Sequence, residues 1–150
     1  MRKFIFSLRR HLLTLMFWGA LNLVGLGLLL LGYRRFVALL TFVSPNPQKF
    51  SFEKRSVVYA RYIDRASCWK PAPPSRCLHK SLLLWWALRW FDVVSVVRFG
   101  VMKLPAGGFD LHAWVEQGGH VVNDNQSHVM QYQPLWDLIN PDKLITGRVQ

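Results

Sequence analysis

Acidic residues are scarce in this sequence: eight Asp and Glu stand against nineteen Lys and Arg, a formal net charge of +11. The imbalance is local. Residues 1 to 65 hold eleven basic and two acidic residues, a net of +9, whereas residues 66 to 150 hold eight and six, a net of +2. Nucleic acid is one partner for so basic a chain, but here the basic residues flank an apolar run. That arrangement fits an anionic lipid surface or an acidic partner and argues against nucleic acid. Cysteine is scarcer still. Cys68 and Cys77 lie nine residues apart across a stretch with three prolines; such a pair does not make a disulfide-built secreted scaffold, and reduced thiols in the cytoplasm fit better. The two cysteines and five scattered histidines show no C-x-x-C or H-x-x-x-H spacing. No metal site or cofactor is indicated.

Charge is missing altogether between Leu12 and Tyr33. This run is long enough to cross a bilayer as a helix, follows the basic segment MRKFIFSLRR and is closed by Arg34 and Arg35. It is longer than a secretory signal core and lacks a small-residue cleavage site. Gly19, Gly25, Gly27 and Gly32 are tolerated in membrane helices. The competing arrangement is an apolar helical hairpin or arm packed on the rest of the chain, because hydropathy does not separate a lipid-facing helix from a buried one.

Beyond the breaker cluster Ser44-Pro45-Asn46-Pro47, residues 52 to 66 read as an amphipathic helix, with Ser51 as N-cap. Val58 pairs with Tyr62, and Tyr59 with Ile63. Lys54, Arg55, Arg61 and Arg65 form its basic side, either a solvated face or a docking surface. A proline-rich segment follows, and then CLHKSLLLWWALRWF, residues 77 to 91, a breaker-free run of helix formers. From Val93 the period changes. VVSVVRFGVMK, FDLHAWVEQ and HVVND are β-branched or aromatic runs separated by glycine-containing turns, which predicts an antiparallel meander. The tail from Gln126 carries no clear pattern.

Chemistry concentrates where these elements meet. Cys77 stands where the proline-rich loop gives way to a helix, and the dipole and free N–H groups there lower a thiol pKa and can receive an oxyanion. A cysteine used as a small hydrophobe is the commoner case; what singles this one out is the order of elements. A strand carrying His112 follows, with Leu111, Ala113 and Val115 on one face and His112, Trp114 and Glu116 on the other. A thiolate needs a base, and the base needs an acid on its other nitrogen. Asp124, twelve residues on, supplies the acid; Asn123, Asn125 and His128 are rivals for that role. Direct pairing of His112 with Asp124 requires an odd connection, so a three-residue turn centred on Gly118 is expected; a two-residue Gly118-Gly119 turn pairs Asp124 with Ala113. His79 and His120 read as structural and exposed, respectively.

The run R-C-L-H-K-S-L-L-L at residues 76 to 84, F-G-V at 99 to 101, H-A-W-V-E at 112 to 116 and V-N-D at 122 to 124 resembles the transglutaminase-like leader peptidases of lasso-peptide biosynthesis over roughly residues 50 to 130. Trp90-Phe91-Asp92 departs from that family, whose members usually end the helix on glycine. The resemblance implies an α+β, papain-like or transglutaminase-like core over residues 50 to 150, its cysteine at a helix N-terminus packed on an antiparallel sheet, after an apolar helical arm at residues 1 to 49. It implies Cys77 as nucleophile, His112 as base and Asp124 as third member, acting on a ribosomally made precursor peptide. It further implies a separate leader-binding protein and an ATP-dependent macrolactam cyclase downstream. The reduced thiols and the basic, apolar arm set the expected location, the cytoplasm with association at the inner face of the cell membrane. Two other functions fit the same residues: a transglutaminase-type acyl transferase and a membrane-tethered adaptor without catalysis.

Overall fold

The computed structural model describes residues 2–48, 54–71 and 76–135. Ser51 and the chain beyond residue 135 lie outside them. The apolar run forms α1, Arg2–Phe42, which breaks at Gly32, where φ is +71° and ψ 167°. Only glycine adopts that backbone without strain. The break folds the helix back on itself: nine residues of straight helix span about 13.5 Å, yet the Phe36 ring lies 2.1 to 2.7 Å from where a Cβ on Gly27 would sit. Glycine at residue 27 is therefore the space the returning arm fills. Phe17, Leu21 and Val24 before the bend, and Phe36, Val37 and Leu40 after it, are buried in the same core as the elements that follow. By length and composition Arg10–Phe42 is also a helix able to cross a membrane.

The second helix, α2, spans Lys54–Ser67. Its inner seam is Ser56, Ala60, Ile63 and Ser67, at the three- and four-residue spacing of one helix face. Small residues dominate that seam, so the helices approach closely. Val58, expected on the apolar side, is about half exposed, while Tyr59 and Tyr62 pack against Phe17 with ring centroids 6.3 and 6.4 Å away. Lys54, Arg55, Arg61 and Arg65 face solvent.

Helix α3, Arg76–Trp90, is the centre of the molecule. Leu82, Leu83, Leu84, Trp85 and Leu88 are all buried, because α1 and α2 cover one side and the sheet the other. It ends in a Schellman motif: the Asp92 N–H bonds the Arg89 carbonyl at 3.1 Å, and the Val93 N–H bonds the Leu88 carbonyl at 3.0 Å. Asp92 takes the left-handed position that glycine usually holds, with φ of +61°. Its Oδ1 accepts the Gln48 N–H at 2.8 Å, which ties the end of α3 to the segment after α1.

Strands β1 (Val96–Lys103), β2 (Phe109–Gln117), β3 (His120–Val121) and, after the short helix α4 (Gln126–Val129), β4 (Gln133–Pro134) form one antiparallel sheet in the order β3-β2-β1-β4. The expected meander is present, but β3 is only two residues long, and the tail that carried no pattern supplies both a helix and an edge strand. Gly100 explains how that tail packs. It pairs with His112 on one side and Pro134 on the other, and a Cβ there would meet Tyr132 Cβ at 2.7 Å and the Trp114 ring at 2.9 Å. The absent side chain lets the segment from α4 to β4 close over this face. Trp114, Val129 and Tyr132 form a second small core there.

Candidate active site

Strand β2 places His112 on the face that the tail covers, and α3 packs against the other. The buried Ser81 hydroxyl of α3 donates to the Ala113 carbonyl at 2.9 Å. It also receives the Asn123 amide at 2.9 Å, while Asn123 Oδ1 accepts the Val115 N–H at 2.7 Å. Asn123 is thus consumed in joining helix, strand and turn. Asn125 caps α4, accepting the Ser127 N–H at 3.0 Å. Neither asparagine reaches His112 in the role sequence spacing left open to it.

Asp124 does. Its Oδ2 lies 2.5 Å from His112 Nε2, with the two side chains only 16% and 21% exposed. A carboxylate is acceptor-only, so Nε2–H donates and Nδ1 is left as the basic nitrogen of the neutral ring. The same carboxylate accepts the Asn125 N–H at 2.6 Å and lies 3.2 Å from His128 Nδ1 through both oxygens. His128, one of the rivals, sits behind Asp124 as a second donor and does not replace it.

The route by which Asp124 arrives differs from the parity expectation. Gln117 pairs with His120, so the connection is the two-residue turn, with Gly118 and Gly119 at φ of +55° and +80°. Positive φ at both central residues matches the twist of a hairpin. In that register Asp124 falls opposite Ala113, as the parity rule requires. Pairing stops at Val122, whose N–H bonds the Val115 carbonyl at 2.9 Å, and the chain then bends through residues 122 to 124. The bend swings the carboxylate across to His112; strand parity does not extend past the end of a strand.

The His112 ring is held on several sides. Trp114 stacks at 6.1 Å, His128 stands edge-on at 5.1 Å and Tyr132 lies 5.0 Å away. Tyr132 donates to Asp110 Oδ2 at 2.7 Å. That bond, burial, and the negative charges of Asp110, Asp124 and Cys77 push the Tyr132 hydroxyl up to about 12. Burial pushes the Asp124 carboxyl up, but the Asn125 N–H and the two histidines outweigh it and hold the group below its ordinary value. Tyr132 and Asp110 were not legible in the sequence, because the patternless tail gave no reason to fold Tyr132 onto this strand.

Cys77 is the second residue of α3, partly exposed and unpaired with Cys68, which is exposed. His79 is buried in α3 and His120 is exposed in β3. His112, Asp124 and His128 bring three metal-ligand donors within 4.8 Å of one another, a grouping that sequence spacing did not reveal. In this structure His112 and Asp124 are joined directly by a hydrogen bond. Beside Asp124 runs an open cleft of about 870 Å³, bounded by Val57, Arg61 and Arg65 of α2 and by Val122, Asn125 and Gln126.

The comparisons bear on the family alone. No curated protein and no solved structure matches the chain. The sequence profile of the transglutaminase-like superfamily matches residues 21–137, which takes in the second half of α1, then α2, α3, the sheet and α4. The chain belongs to the transglutaminase-like superfamily.

Proposed function

We propose that this chain is a cysteine peptidase that removes the leader from a ribosomally made lasso-peptide precursor, with Cys77 as nucleophile, His112 as base and Asp124 as the group that orients His112. The observation that carries the reading is the His112 Nε2 to Asp124 bond; Cys77, in the first turn of α3, is the nucleophile that the resemblance implies. It leaves Nδ1 to take the thiol proton. The thiolate adds to the scissile carbonyl, and N–H groups at the start of α3 receive the oxyanion. Imidazolium then protonates the departing amine, leaving a thioester at Cys77, and water activated by the same imidazole releases the acid. Asp124 keeps the ring in one tautomer throughout. The open cleft on the far side of Asp124, with Arg61 and Arg65 along one wall, is lined by neither Cys77 nor His112.

An acyl transferase would form the same thioester and resolve it with an amine. Product mass separates the two, since hydrolysis of the peptide adds water whereas transfer from a glutamine side chain adds the amine and expels ammonia. The test is cleavage of a precursor followed by mass spectrometry. Cys77→Ala and His112→Ala should be inactive but folded, and Cys68→Ser fully active. Full activity of Cys77→Ala would end the proposal. A separate leader-binding protein is the expected partner, docking on Arg55, Arg61 and Arg65 of α2, and should accelerate cleavage by raising the local concentration of substrate; an ATP-dependent cyclase would then act on the freed core peptide.

A further inference from the structure

The first segment of α1 has two apolar faces, and the fold accounts for only one. At about 100° per residue, Thr14, Phe17, Leu21 and Val24 centre on one line of the helix, and all four are buried in the protein. About 160° around lies a second stripe, Leu12, Met16, Leu23, Leu26 and Leu30, which runs about 27 Å along the axis. Every one of these is exposed, Leu23 by 67% and Leu30 by 70%, and Leu29 at the bend by 80%. Gly19 lies on the same stripe with nothing near it. The stripe is aliphatic throughout and has no aromatic anchor or polar rim, unlike a protein-binding patch. Exposed Arg10 stands at one end, and exposed Arg34 and Arg35 stand just past Gly32 at the other.

This geometry is incompatible with a helix surrounded by lipid. Crossing the bilayer would require pulling Phe17, Leu21 and Val24 out of the core they share with α2 and α3, or carrying the polar domain into the membrane. A helix with one face committed to protein, the opposite face aliphatic and arginines at both ends instead fits the plane of an anionic bilayer. We infer that α1 docks the protein on an anionic membrane surface monotopically, with the leucine stripe sunk into the outer acyl region and Arg10, Arg34 and Arg35 at the headgroups. This goes beyond the catalytic reading and does not depend on it.

The experiment uses the full chain and vesicles of phosphatidylcholine with one-quarter phosphatidylglycerol, with co-flotation as the readout. The wild type should float. Leu23→Gln/Leu26→Gln/Leu30→Gln, which alters only exposed positions, should bind about a hundredfold more weakly, with an unchanged circular-dichroism melt. Arg34→Gln/Arg35→Gln should bind anionic vesicles more weakly and neutral ones as before. In a Cys68→Ser/Cys77→Ala background, the thiols of His11→Cys and Asn46→Cys variants should both react with an impermeant maleimide added outside. A wild type that does not float, a leucine variant that floats equally, or only one reactive thiol, the mark of a spanning helix, would overturn the inference. So would a wild-type dimer that the leucine variant turns into a monomer while neither binds vesicles, which would make the stripe a protein contact.

Discussion

Replacing Asp124 with Asn tests whether the carboxylate sets the state of His112 or only fills space. The amide is nearly isosteric, and its oxygen can keep the Asn125 N–H that Asp124 Oδ1 accepts at 2.6 Å. What changes is the partner of His112 Nε2, 2.5 Å away. With the oxygen on Asn125, the amide nitrogen faces Nε2 and donates, so Nε2 must become the acceptor and the ring proton moves to Nδ1. The nitrogen that should take the thiol proton is then already protonated. The same change in a serine triad costs about four decades of kcat. A thiol needs less help to ionise, so we expect kcat/KM to fall by about two to four decades, roughly 3 to 5 kcal/mol of transition-state stabilisation. The assay is precursor cleavage across pH together with the rate of alkylation of Cys77. The stability consequence has a definite sign. Asp124 titrates below its ordinary value in the folded protein, so its contribution is fully present above that ordinary value and is lost as pH falls through the lowered one. Asp124→Asn should therefore flatten the acid limb of the stability profile while leaving neutral-pH folding intact. Activity within threefold of wild type, with an unshifted pH profile, would refute the orienting role.

Other positions test the scaffold around that pair. Gly100→Ala should lose about 1 to 3 kcal/mol of stability, read as a lower urea midpoint, because the new methyl meets Tyr132 and the Trp114 ring. Its activity should fall further than its stability, since the displaced Tyr132 packs on His112. Ser81→Ala should cost about 1 to 3 kcal/mol by chemical denaturation, because it leaves the buried Ala113 carbonyl without its side-chain donor and the Asn123 amide without its acceptor. Gly32→Ala meets no steric obstacle, so its cost should be backbone strain alone, about 1 to 3 kcal/mol, seen as a lower melting temperature.

Much of this was legible in sequence because it depends on short-range chemistry. The α3 run has helix formers and no breaker, and it forms a helix within one residue of the expected start and end. The alternation around His112 fixed a strand with Ala113 and Val115 buried against α3. Leu111, on the same parity, is exposed because it lies near the end of the strand. Parity misled where the strand ended. It assumes continued pairing, and pairing stops at Val122, so a two-residue turn that should have carried Asp124 to Ala113 delivers its carboxylate to His112.

Composition and pattern alone determined the apolar arm, the helix beginning near Cys77, the antiparallel strands and the residue types of the site, since each follows from local propensity and periodicity. Tertiary structure decided the rest. Hydropathy reports how apolar a helix is and not what covers it, so only packing could show that Phe17 and Leu21 belong to the core while Leu23 and Leu30 face outward. That Asp124 bonds His112 while Asn123 and Asn125 bond elsewhere depends on hydrogen bonds spread over α3, β2 and α4. Tyr132 and His128 reached His112 only because Gly100 leaves room for a tail whose own sequence carries no signal of where it will fold.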